Sequence, residues 1–281
     1  MKKTTKDEYL QSIYTVIYYI EQHYKEPLST ESLSKIAGFS KYHFHRVFHN
    51  IVGESLGEYI RKVRLQNSAF KLCNPASITE VAMQSGYETH ATFAKAFKAR
   101  FNLSPKEFSK KIKERKGSIM IKPNIVNFDS VKVLCVRRCG DYMVSAGEAF
   151  ETLMRFAYEQ KIKHKKNLMG KEAMMFGIGY DDPNSTPTNE LRYDACISYD
   201  DHSVTPTGEV VVKTIEGGTC LYYLHKGSYE GLKEVYAQLM EYIIEHELSV
   251  ADKPPFERYL NRDPRRTKPE NLKTEIYIPL A

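Results

Sequence analysis

One pattern of two short helices is written twice between Leu33 and Phe108. In each copy a glycine followed by an aromatic residue, Gly38 or Gly86, comes after a short helical stretch, where a left-handed cap is needed. A second helical stretch follows, with phenylalanines four residues apart on one face. A helix, a tight turn and a second helix form the helix-turn-helix unit, whose second helix enters the major groove of DNA.

The phenylalanines fix which side of each second helix faces the core. Phe44 and Phe48 in the first copy correspond to Phe93 and Phe97 in the second. With these rings buried, the residues on the other side of each helix point outward and are candidates for contacting bases. These outward residues are Tyr42, His45 and Arg46 in the first copy and Ala91, Ala94 and Lys95 in the second.

Helix-start signals place a spacer between the two copies. Ser55 and Glu58, and likewise Ser104 and Glu107, have the spacing of a capping box. The stretch from Ser55 to Leu72 has no proline and one glycine, so we predict one helix of about 27 Å at 1.5 Å per residue. Two recognition helices held apart by this spacer fit successive major-groove segments, which lie roughly 34 Å apart. One monomer is therefore long enough to cover a bipartite site.

Residues from about Lys6 to Lys116 resemble the DNA-binding domain of the AraC/XylS family of transcription regulators. The resemblance rests on the paired units and on the pattern Phe97-x-x-x-Phe101-x-x-Ser104-Pro105-x-x-Phe108. It implies double-stranded promoter DNA and RNA polymerase as partners, with the protein bound as a monomer. The positions that match the family's DNA contacts and their flank are Lys41, Tyr42, His45, Arg46, His90, Thr92 and Lys95. Because alanine stands at 91 and 94, we expect the first recognition helix to supply more of the specificity.

Charge separates the two halves of the chain. Residues 1–117 contain 20 Lys and Arg against 11 Asp and Glu, a net charge of +9, whereas residues 118–281 have a net charge of −3. The positive half is the helical one, where it would neutralise DNA phosphates. The alternative is a basic surface that only keeps the protein in solution. We predict a DNA-binding domain at 1–117, a linker at 118–124 and a second domain at 125–281.

The second half of the chain also contains an internal repeat. Val133 to Val136, leading to Gly140-Asp141-Tyr142, aligns with residues 220–223, leading to Gly227-Ser228-Tyr229. Segments that begin at Phe176 and at Phe256 then align in the same order, through Asp-Pro pairs to a final apolar run. Turn residues, together with the alternation of apolar and polar residues, predict a β-α-β-β unit in each copy. The expected fold class is α+β multidomain, with an all-α double helix-turn-helix domain followed by two β-α-β-β repeats about a pseudo-twofold axis.

Residues 125–281 resemble the GyrI-like small-molecule-binding domain, both in segment order and in the motif Phe256-Glu257-x-Tyr259. The resemblance implies a glutamate in an aromatic-lined pocket that takes a small, lipophilic cation, and the matching residue is Glu257. Its repeat partner is Gly177, which leaves one carboxylate with free space beside it. Aromatic faces and a carboxylate together attract a desolvated cation. The candidate ligand-binding residues are Glu257, Tyr142, Tyr222, Tyr223, Tyr229 and Tyr259.

Other interpretations of this candidate site stay open. A tyrosine on a strand is often only packed against its neighbours, and Glu257 next to Arg258 also fits a surface ion pair. Some GyrI-like proteins hydrolyse strained cyclopropane-bearing toxins, so Glu257 with a neighbouring tyrosine is a candidate acid–base pair. A protein partner for the second domain is a further alternative. We favour a regulator that is not an enzyme and whose second domain binds an effector.

Several classes of protein are disfavoured by what the sequence lacks. No apolar run approaches the roughly 18 residues of a membrane span, and the Lys-rich start has no apolar signal-peptide core, so we expect a cytoplasmic protein with no membrane partner. The five cysteines show no C-x-x-C pair, so we predict neither disulfides nor a zinc site. His43, His45 and His49 are expected to face DNA or pack rather than bind metal. We predict no cofactor.

Overall fold

The computed structural model describes residues 5–72, 77–113, 120–162, 173–199, 204–261 and 264–281. Several residues with predicted roles lie outside the described residues: Cys73, residues 114–117 at the end of the predicted DNA-binding domain, residues 118–119 of the predicted linker, and Asp263 of the second repeat. The chain divides into two compact units, one helical and one rich in β-strands. The separation into a helical half and an α+β half agrees with the fold class that the sequence predicts.

The helical unit contains seven helices within the described residues. They are α1 (Thr5–His23), α2 (Thr30–Ala37), α3 (Lys41–Val52), α4 (Leu56–Lys71), α5 (Ile78–Gln84), α6 (His90–Phe101) and α7 (Pro105–Lys113). The pairs α2–α3 and α5–α6 are the two predicted helix-turn-helix units, and α4 is the predicted spacer. With 16 residues, α4 is about 24 Å long.

Capping contacts explain where these helices begin and end. Gly38 and Gly86 have φ angles of +72° and +77°, in the left-handed region that favours glycine. At the start of α4, Glu58 accepts a hydrogen bond from the Ser55 backbone N–H at 2.9 Å, and the Ser55 hydroxyl accepts one from the Glu58 N–H at 3.3 Å. The predicted capping box therefore forms.

Two hydrophobic cores stabilise the helical unit, and α4 contributes to both. Phe44 and Phe48 are buried among residues of α1, α2 and α4. Phe93 and Phe97 are buried among residues of α4, α5, α6 and α7. Since one rigid helix carries part of each core, the two helix-turn-helix units are held on a common element.

Within the described residues, the β-rich unit contains an eight-stranded sheet and two α-helices. The strands are β1 (Asn124–Phe128), β2 (Val131–Cys139), β3 (Met175–Gly179), β4 (Arg192–Ser198), β5 (Val211–Ile215), β6 (Gly218–Lys226), β7 (Phe256–Tyr259) and β8 (Lys273–Pro279). The helices are α8 (Tyr142–Glu159), which follows β2, and α9 (Leu232–Glu245), which follows β6. The strand order is β1-β6-β8-β7-β3-β4-β2-β5.

This strand order is symmetric about the β7–β3 pair, as two β-α-β-β repeats around a pseudo-twofold axis require. The symmetry extends to single hydrogen bonds. The Gly140 N–H donates to the Leu191 carbonyl at 2.9 Å, and the Gly227 N–H donates to the Leu272 carbonyl at 3.0 Å. The axis therefore passes through the middle of the sheet, between the equivalent strands β7 and β3.

The described helices differ from membrane spans. None of them is both long and apolar enough to cross a membrane.

Candidate DNA-binding surface and ligand-binding site

Helix α3 exposes the residues that the sequence predicts to contact DNA. Its N-terminal turn is fixed by Ser40, whose side chain accepts from the His43 N–H. Burial of Phe44, Val47 and Phe48 then sets the rotation of the helix. Lys41, Tyr42, His45 and Arg46 lie on the exposed side. Tyr42 keeps 87% of its surface exposed, so its ring is available to a partner without any rearrangement.

A concave surface runs along the exposed side of α3. It has a volume of about 480 Å³ and is lined by His45, Arg46, His49, Asn50 and Ser55. His49 was expected to face DNA or to pack, but neither His49 nor Asn50 was among the predicted DNA-contact residues. Their spacing of three or four residues from His45 and Arg46 was the signal that could have found them, because residues at this spacing share a helix face. His43 differs, since its Nε2 is 3.1 Å from the Tyr9 hydroxyl.

Helix α6 exposes the equivalent positions with smaller side chains. His90, Ala91, Thr92 and Lys95 are exposed. The Thr92 hydroxyl donates to the Thr89 carbonyl at 2.9 Å and therefore contributes to the cap that begins the helix. Only Lys95 of this group presents a long charged side chain. The two helices thus offer a DNA duplex different chemistry: aromatic, imidazole and guanidinium groups on α3, and mainly methyl groups and one ammonium on the matching part of α6.

In the β-rich unit, Glu257 lies at the pseudo-twofold axis and is held by tyrosine hydroxyls. Its Oε1 accepts a hydrogen bond from Tyr236 at 3.2 Å, and its Oε2 accepts one from Tyr259 at 2.5 Å. The Tyr259 oxygen is also 2.7 Å from the Tyr193 hydroxyl. Strands β4 and β7 and helix α9 therefore supply one chain of polar groups around a single carboxylate.

Further aromatic rings surround this polar chain. The ring of Tyr229 lies 5.6 Å from that of Tyr259, centroid to centroid. The ring of Phe150, on α8, also lies 5.6 Å from the Tyr259 ring. Tyr142 lies 5.9 Å from Tyr193. Of the predicted ligand-binding residues, the structure thus brings Tyr142, Tyr229 and Tyr259 together with Glu257.

The Glu257 carboxylate has no cationic partner. Within the described part of the chain, no lysine, arginine or histidine lies within ion-pair distance of it. Burial raises the pKa of Glu257, while the hydrogen bonds from Tyr259 and Tyr236 lower it in part. Its neighbour Arg258 instead pairs with Glu275 at 3.3 Å. The alternative of an ion pair between Glu257 and Arg258 is therefore wrong, because alternate strand residues face opposite sides of the sheet.

Burial also keeps the surrounding tyrosines protonated. It raises the pKa of Tyr193, Tyr236 and Tyr259 well above the ordinary value, and the negative charge of Glu257 adds to the effect. Burial and the same charge raise the pKa of Tyr229 to about 12. At neutral pH these hydroxyls are therefore protonated; Tyr236 and Tyr259 donate to the carboxylate, and none of the four tyrosines competes with it as a second anion.

Gly177 leaves room for two tyrosines of the site, so the prediction of free space for a ligand beside Glu257 at this glycine is wrong. Gly177 is directly opposite Glu257 in the β3–β7 ladder. A Cβ at Gly177 would lie 2.1 Å from the Tyr193 hydroxyl and 2.5 Å from the Tyr259 hydroxyl. A Cβ at Gly179 would approach the Tyr142 ring only to 3.5 Å. The hydrogen bond between Tyr193 and Tyr259 thus depends on the missing side chain at 177.

Two other predicted ligand-binding residues lie elsewhere. The Tyr222 hydroxyl donates to Glu275 at 3.3 Å, and its ring is 5.3 Å from that of Tyr277, on the side of the sheet opposite Glu257. Tyr223 packs against the hydrophobic cluster of β6, β8 and α9. The structure therefore does not bring Tyr222 or Tyr223 together with the Glu257 carboxylate.

Three residues of the site were missed by sequence reasoning: Tyr193, Tyr236 and Phe150. Tyr236 could have been found from its helical spacing to Leu232, Leu239 and Ile243, which form the sheet-facing side of α9. Tyr193 lies on β4 within the segment that the repeat alignment already covered, but its contact with Tyr259 depends on the pairing of β3 with β4 and β7. Phe150 carried no signal that distinguishes it from an ordinary core residue.

The described residues show no group of three or more His, Cys, Asp or Glu side chains that could hold a metal ion. The chemistry available to the β-rich unit is therefore that of a shielded carboxylate, tyrosine hydroxyls and aromatic faces. A pair of DNA-reading helical units joined to a duplicated α+β domain with a carboxylate at its axis defines a DNA-binding regulator with a ligand-binding domain.

Comparison with known families agrees with this class. Residues 121–281, more than half of the chain, match the GyrI-like small molecule binding domain, and residues 33–111 match a helix-turn-helix domain. The chain belongs to the AraC-type DNA-binding transcriptional regulators that carry a GyrI-like small-molecule-binding domain.

Known relatives match either the whole chain or its first half. Transcriptional regulator Rob of Salmonella typhimurium is 24% identical over 293 residues, which cover 94% of this chain and 96% of that protein. Right origin-binding protein of Escherichia coli is 23% identical, with the same coverage of both chains. Regulatory protein SoxS of Salmonella typhimurium is 34% identical over 99 residues, which cover 35% of this chain and 92% of SoxS.

Solved structures show only a distant likeness. The C-terminal domain of EcmrR is 17% identical and has a TM-score of 0.46, with 58% of this chain and 98% of that domain covered. A hydrolase from Listeria innocua is 19% identical and has a TM-score of 0.42, with 61% and 97% covered. These scores carry no information about activity.

Proposed function

We propose that this protein is a one-component transcription regulator whose β-rich unit binds a small, lipophilic cation at Glu257. The observation that carries this proposal is the carboxylate itself: it is shielded among aromatic rings, accepts hydrogen bonds from Tyr236 and Tyr259, and has no cationic side chain beside it in the described chain. A buried charge is normally paired. Here the missing positive charge is the one that an effector would bring.

The surroundings of the carboxylate favour one kind of cation. Rings of Tyr229, Phe150 and Tyr142 offer aromatic faces, which attract a cation through the ring quadrupole, and more strongly when water is excluded. A small hydrated ion would lose its water shell without enough oxygen ligands to replace it. An organic cation with an apolar surface loses little hydration and gains both the ring contacts and the carboxylate charge.

A matched pair of ligands tests this proposal. We expect benzyltrimethylammonium to raise the Tm of the full-length protein and its uncharged isostere neopentylbenzene to raise it much less, because a ligand that binds only the folded state stabilises it by mass action. The cation effect should disappear in Glu257→Gln. It should persist in Glu275→Gln, since that carboxylate is already paired with Arg258. Equal shifts with both compounds, or an unchanged cation effect in Glu257→Gln, would contradict the proposal.

The helical unit would bind promoter DNA as a monomer, with α3 supplying most of the base contacts. This part of the proposal is supported by the exposure of Tyr42, His45 and Arg46 on α3 and by the methyl groups at the equivalent positions of α6. RNA polymerase is the expected partner on the promoter. Sedimentation of the complex formed on a selected operator should give one protein chain per duplex, and two chains would contradict the monomer.

A hydrolytic role is a second candidate, because a tyrosine hydroxyl lies 2.5 Å from the Glu257 carboxylate. A carboxyl group with a raised pKa next to a hydroxyl can act as a general acid or base. Turnover of a strained cyclopropane compound, lost in Glu257→Gln, would support this role. Binding of cations without turnover of such compounds would leave the regulator as the function of the site.

A further inference from the structure

One arginine of α4 contacts backbone groups just before the first helix-turn-helix unit and in the turn of the second. Arg64 donates from Nε to the Tyr24 carbonyl at 2.8 Å, from one terminal nitrogen to the Glu26 carbonyl at 3.0 Å, and from the other to the Gly86 carbonyl at 3.2 Å. Tyr24 and Glu26 come just before the first unit. Gly86 is the turn glycine of the second. One guanidinium thus joins the two.

The three carbonyls explain why an arginine stands at this position. Helix α1 ends at His23 and α5 ends at Gln84, so the carbonyls lie where helix C-termini leave acceptors without intrahelical partners. The negative end of each helix dipole adds to the attraction of a cation. A guanidinium has five donors in a fixed plane, whereas a lysine ammonium is a compact charge that cannot span three separated acceptors.

The turn of the second unit is shaped around this arginine. A Cβ at Gly86 would lie 2.9 Å from both Cζ and Nε of Arg64. Gly38, the matching glycine of the first unit, has a similar φ angle but nothing within 4 Å of a Cβ. Glycine is therefore required at position 86 for two reasons: its φ angle is positive, and a Cβ there would overlap the Arg64 side chain. The contact belongs to the second unit alone.

A second side chain one heptad later supports the same connection. The Lys71 ammonium donates to the Gln84 carbonyl at 3.4 Å and lies 5.5 Å from the centre of the Tyr24 ring. Arg64 and Lys71 are on one face of α4, because residues seven apart are two helical turns apart. Both contact the end of α1 and the end of α5.

We propose that Arg64 is a positioning residue that fixes the second recognition helix relative to the first and so sets the half-site spacing that the protein accepts on DNA. This inference rests on the proposed use of both helices by one monomer. Few residues separate this contact from the second recognition helix, because the Gly86 carbonyl that accepts from Arg64 is four residues before α6 begins. Arg64 need not touch DNA for this role.

The experiment measures binding to operators of different spacing. An operator selected by the wild-type protein from random duplex DNA is prepared with its natural spacing, with one base pair inserted between the half-sites, and as the α3 half-site alone. One inserted base pair rotates the second half-site by about 35° and moves it by about 3.4 Å. For the wild type we expect the insertion to weaken binding by about 10-fold, comparable to one mismatched base pair.

Arg64→Lys is the test variant and Arg61→Lys, on the exposed side of the same helix, is the matched control. Both keep the charge of the unit. We expect Arg64→Lys to bind the natural operator about 10-fold more weakly, to lose most of the penalty for the inserted base pair, and to bind the α3 half-site as the wild type does. Arg61→Lys should keep the spacing preference.

The outcomes separate the two proposals. A wild type that is indifferent to spacing would remove the proposed two-helix binding. A spacing-sensitive wild type together with an equally sensitive Arg64→Lys would overturn the role of Arg64. If Arg64→Lys does not fold, Gly86→Ala replaces it, with Gly38→Ala as control. Both place alanine at a positive φ angle, but only the first displaces Arg64; an equal spacing preference in these two variants would also overturn the role.

Discussion

The helical unit and the β-rich unit are both internal duplications, and in each one copy carries large polar side chains where the other carries small residues. On α3 the outward residues are Tyr42, His45 and Arg46, and their counterparts on α6 include two alanines. In the sheet, Glu257 and Tyr259 correspond to Gly177 and Gly179. In both halves, the larger polar residues of the candidate site are concentrated in one copy of the repeat.

The reasons for the small residues differ between the halves. In the sheet, the two copies meet across the pseudo-twofold axis, so a side chain at 177 would occupy the space of Tyr193 and Tyr259. The copies of the helical unit present their outward faces to solvent, so packing inside the protein does not require alanine at 91. Duplication thus produced a coupled pair in one half and two independent surfaces in the other.

The largest effect is expected for Gly177→Ala. The new Cβ overlaps two buried hydroxyls, so Tyr193 and Tyr259 must move, and we expect a loss of about 3 kcal/mol in the free energy of unfolding, at the upper end for an overpacked site. Gly179→Ala is the matched control, because its Cβ meets Tyr142 at an ordinary 3.5 Å; it should cost less than about 1 kcal/mol. Denaturant titration measures both. Similar losses would remove the steric coupling between the repeats.

The next largest effects are expected on DNA binding, at Arg46 and Lys95, the equivalent cationic residues of the two recognition helices. Arg46→Ala should weaken binding to the selected operator by about 1–3 kcal/mol and relax specificity at one position. Lys95→Ala should weaken binding to all sequences about equally and lower the salt slope by about one. Titrations over a range of salt concentrations measure both quantities. Unchanged operator binding in Arg46→Ala, or a sequence-dependent loss in Lys95→Ala, would break the assigned asymmetry.

A pH-dependent effect on stability sharpens the comparison within the sheet. Burial raises the pKa of Glu257 above its ordinary value of 4.5. The stability that this protonated carboxyl contributes is complete below the ordinary value and is lost as the pH rises through the folded-state pKa. Glu257→Gln has no such group, so its free energy of unfolding should rise relative to the wild type as the pH increases above the ordinary value of 4.5. Parallel pH profiles would contradict the shielded carboxylate.

The smallest effect is expected for Ala91→Tyr combined with Ala94→His, which copies the surface of α3 onto α6. Both positions have some exposure to solvent, so the free energy of unfolding should change by no more than about 0.5 kcal/mol. A loss well above that value in thermal unfolding would show that these alanines are needed for packing, as Gly177 is.

Much of this arrangement could be predicted from local patterns. The turn glycines, the capping box at Ser55 and the buried phenylalanines each depend on neighbours within one or two helical turns, so sequence spacing was enough to place them. The repeat alignment paired Glu257 with Gly177, and the structure places them directly opposite each other because equivalent strands meet at a twofold axis. The resemblance to the GyrI-like domain had singled out Glu257, and the alignment identified the residue that lies opposite it.

The walls of the site could not be predicted in the same way. Strand residues alternate between faces, so Tyr222 and Tyr223 cannot share a side of the sheet, and the sequence does not show which side a helix covers. Tyr193 reaches the site only because β4 pairs with β3, which in turn pairs with β7, the strand of Glu257 and Tyr259. The hydrogen bonds of Arg64 join residues up to 40 positions apart, a distance at which spacing carries no signal.

The affinity of the full-length protein for benzyltrimethylammonium, measured by calorimetry from below the ordinary glutamate pKa of 4.5 up to about pH 8, tests the central claim most directly. Since the pKa of the free Glu257 carboxyl is raised and only the ionised form attracts a cation, affinity should fall as the pH is lowered, with a proton released on binding. Glu257→Gln should bind weakly at every pH. An affinity that is the same across this range in the wild type would show that the carboxylate is not the group that recognises the ligand.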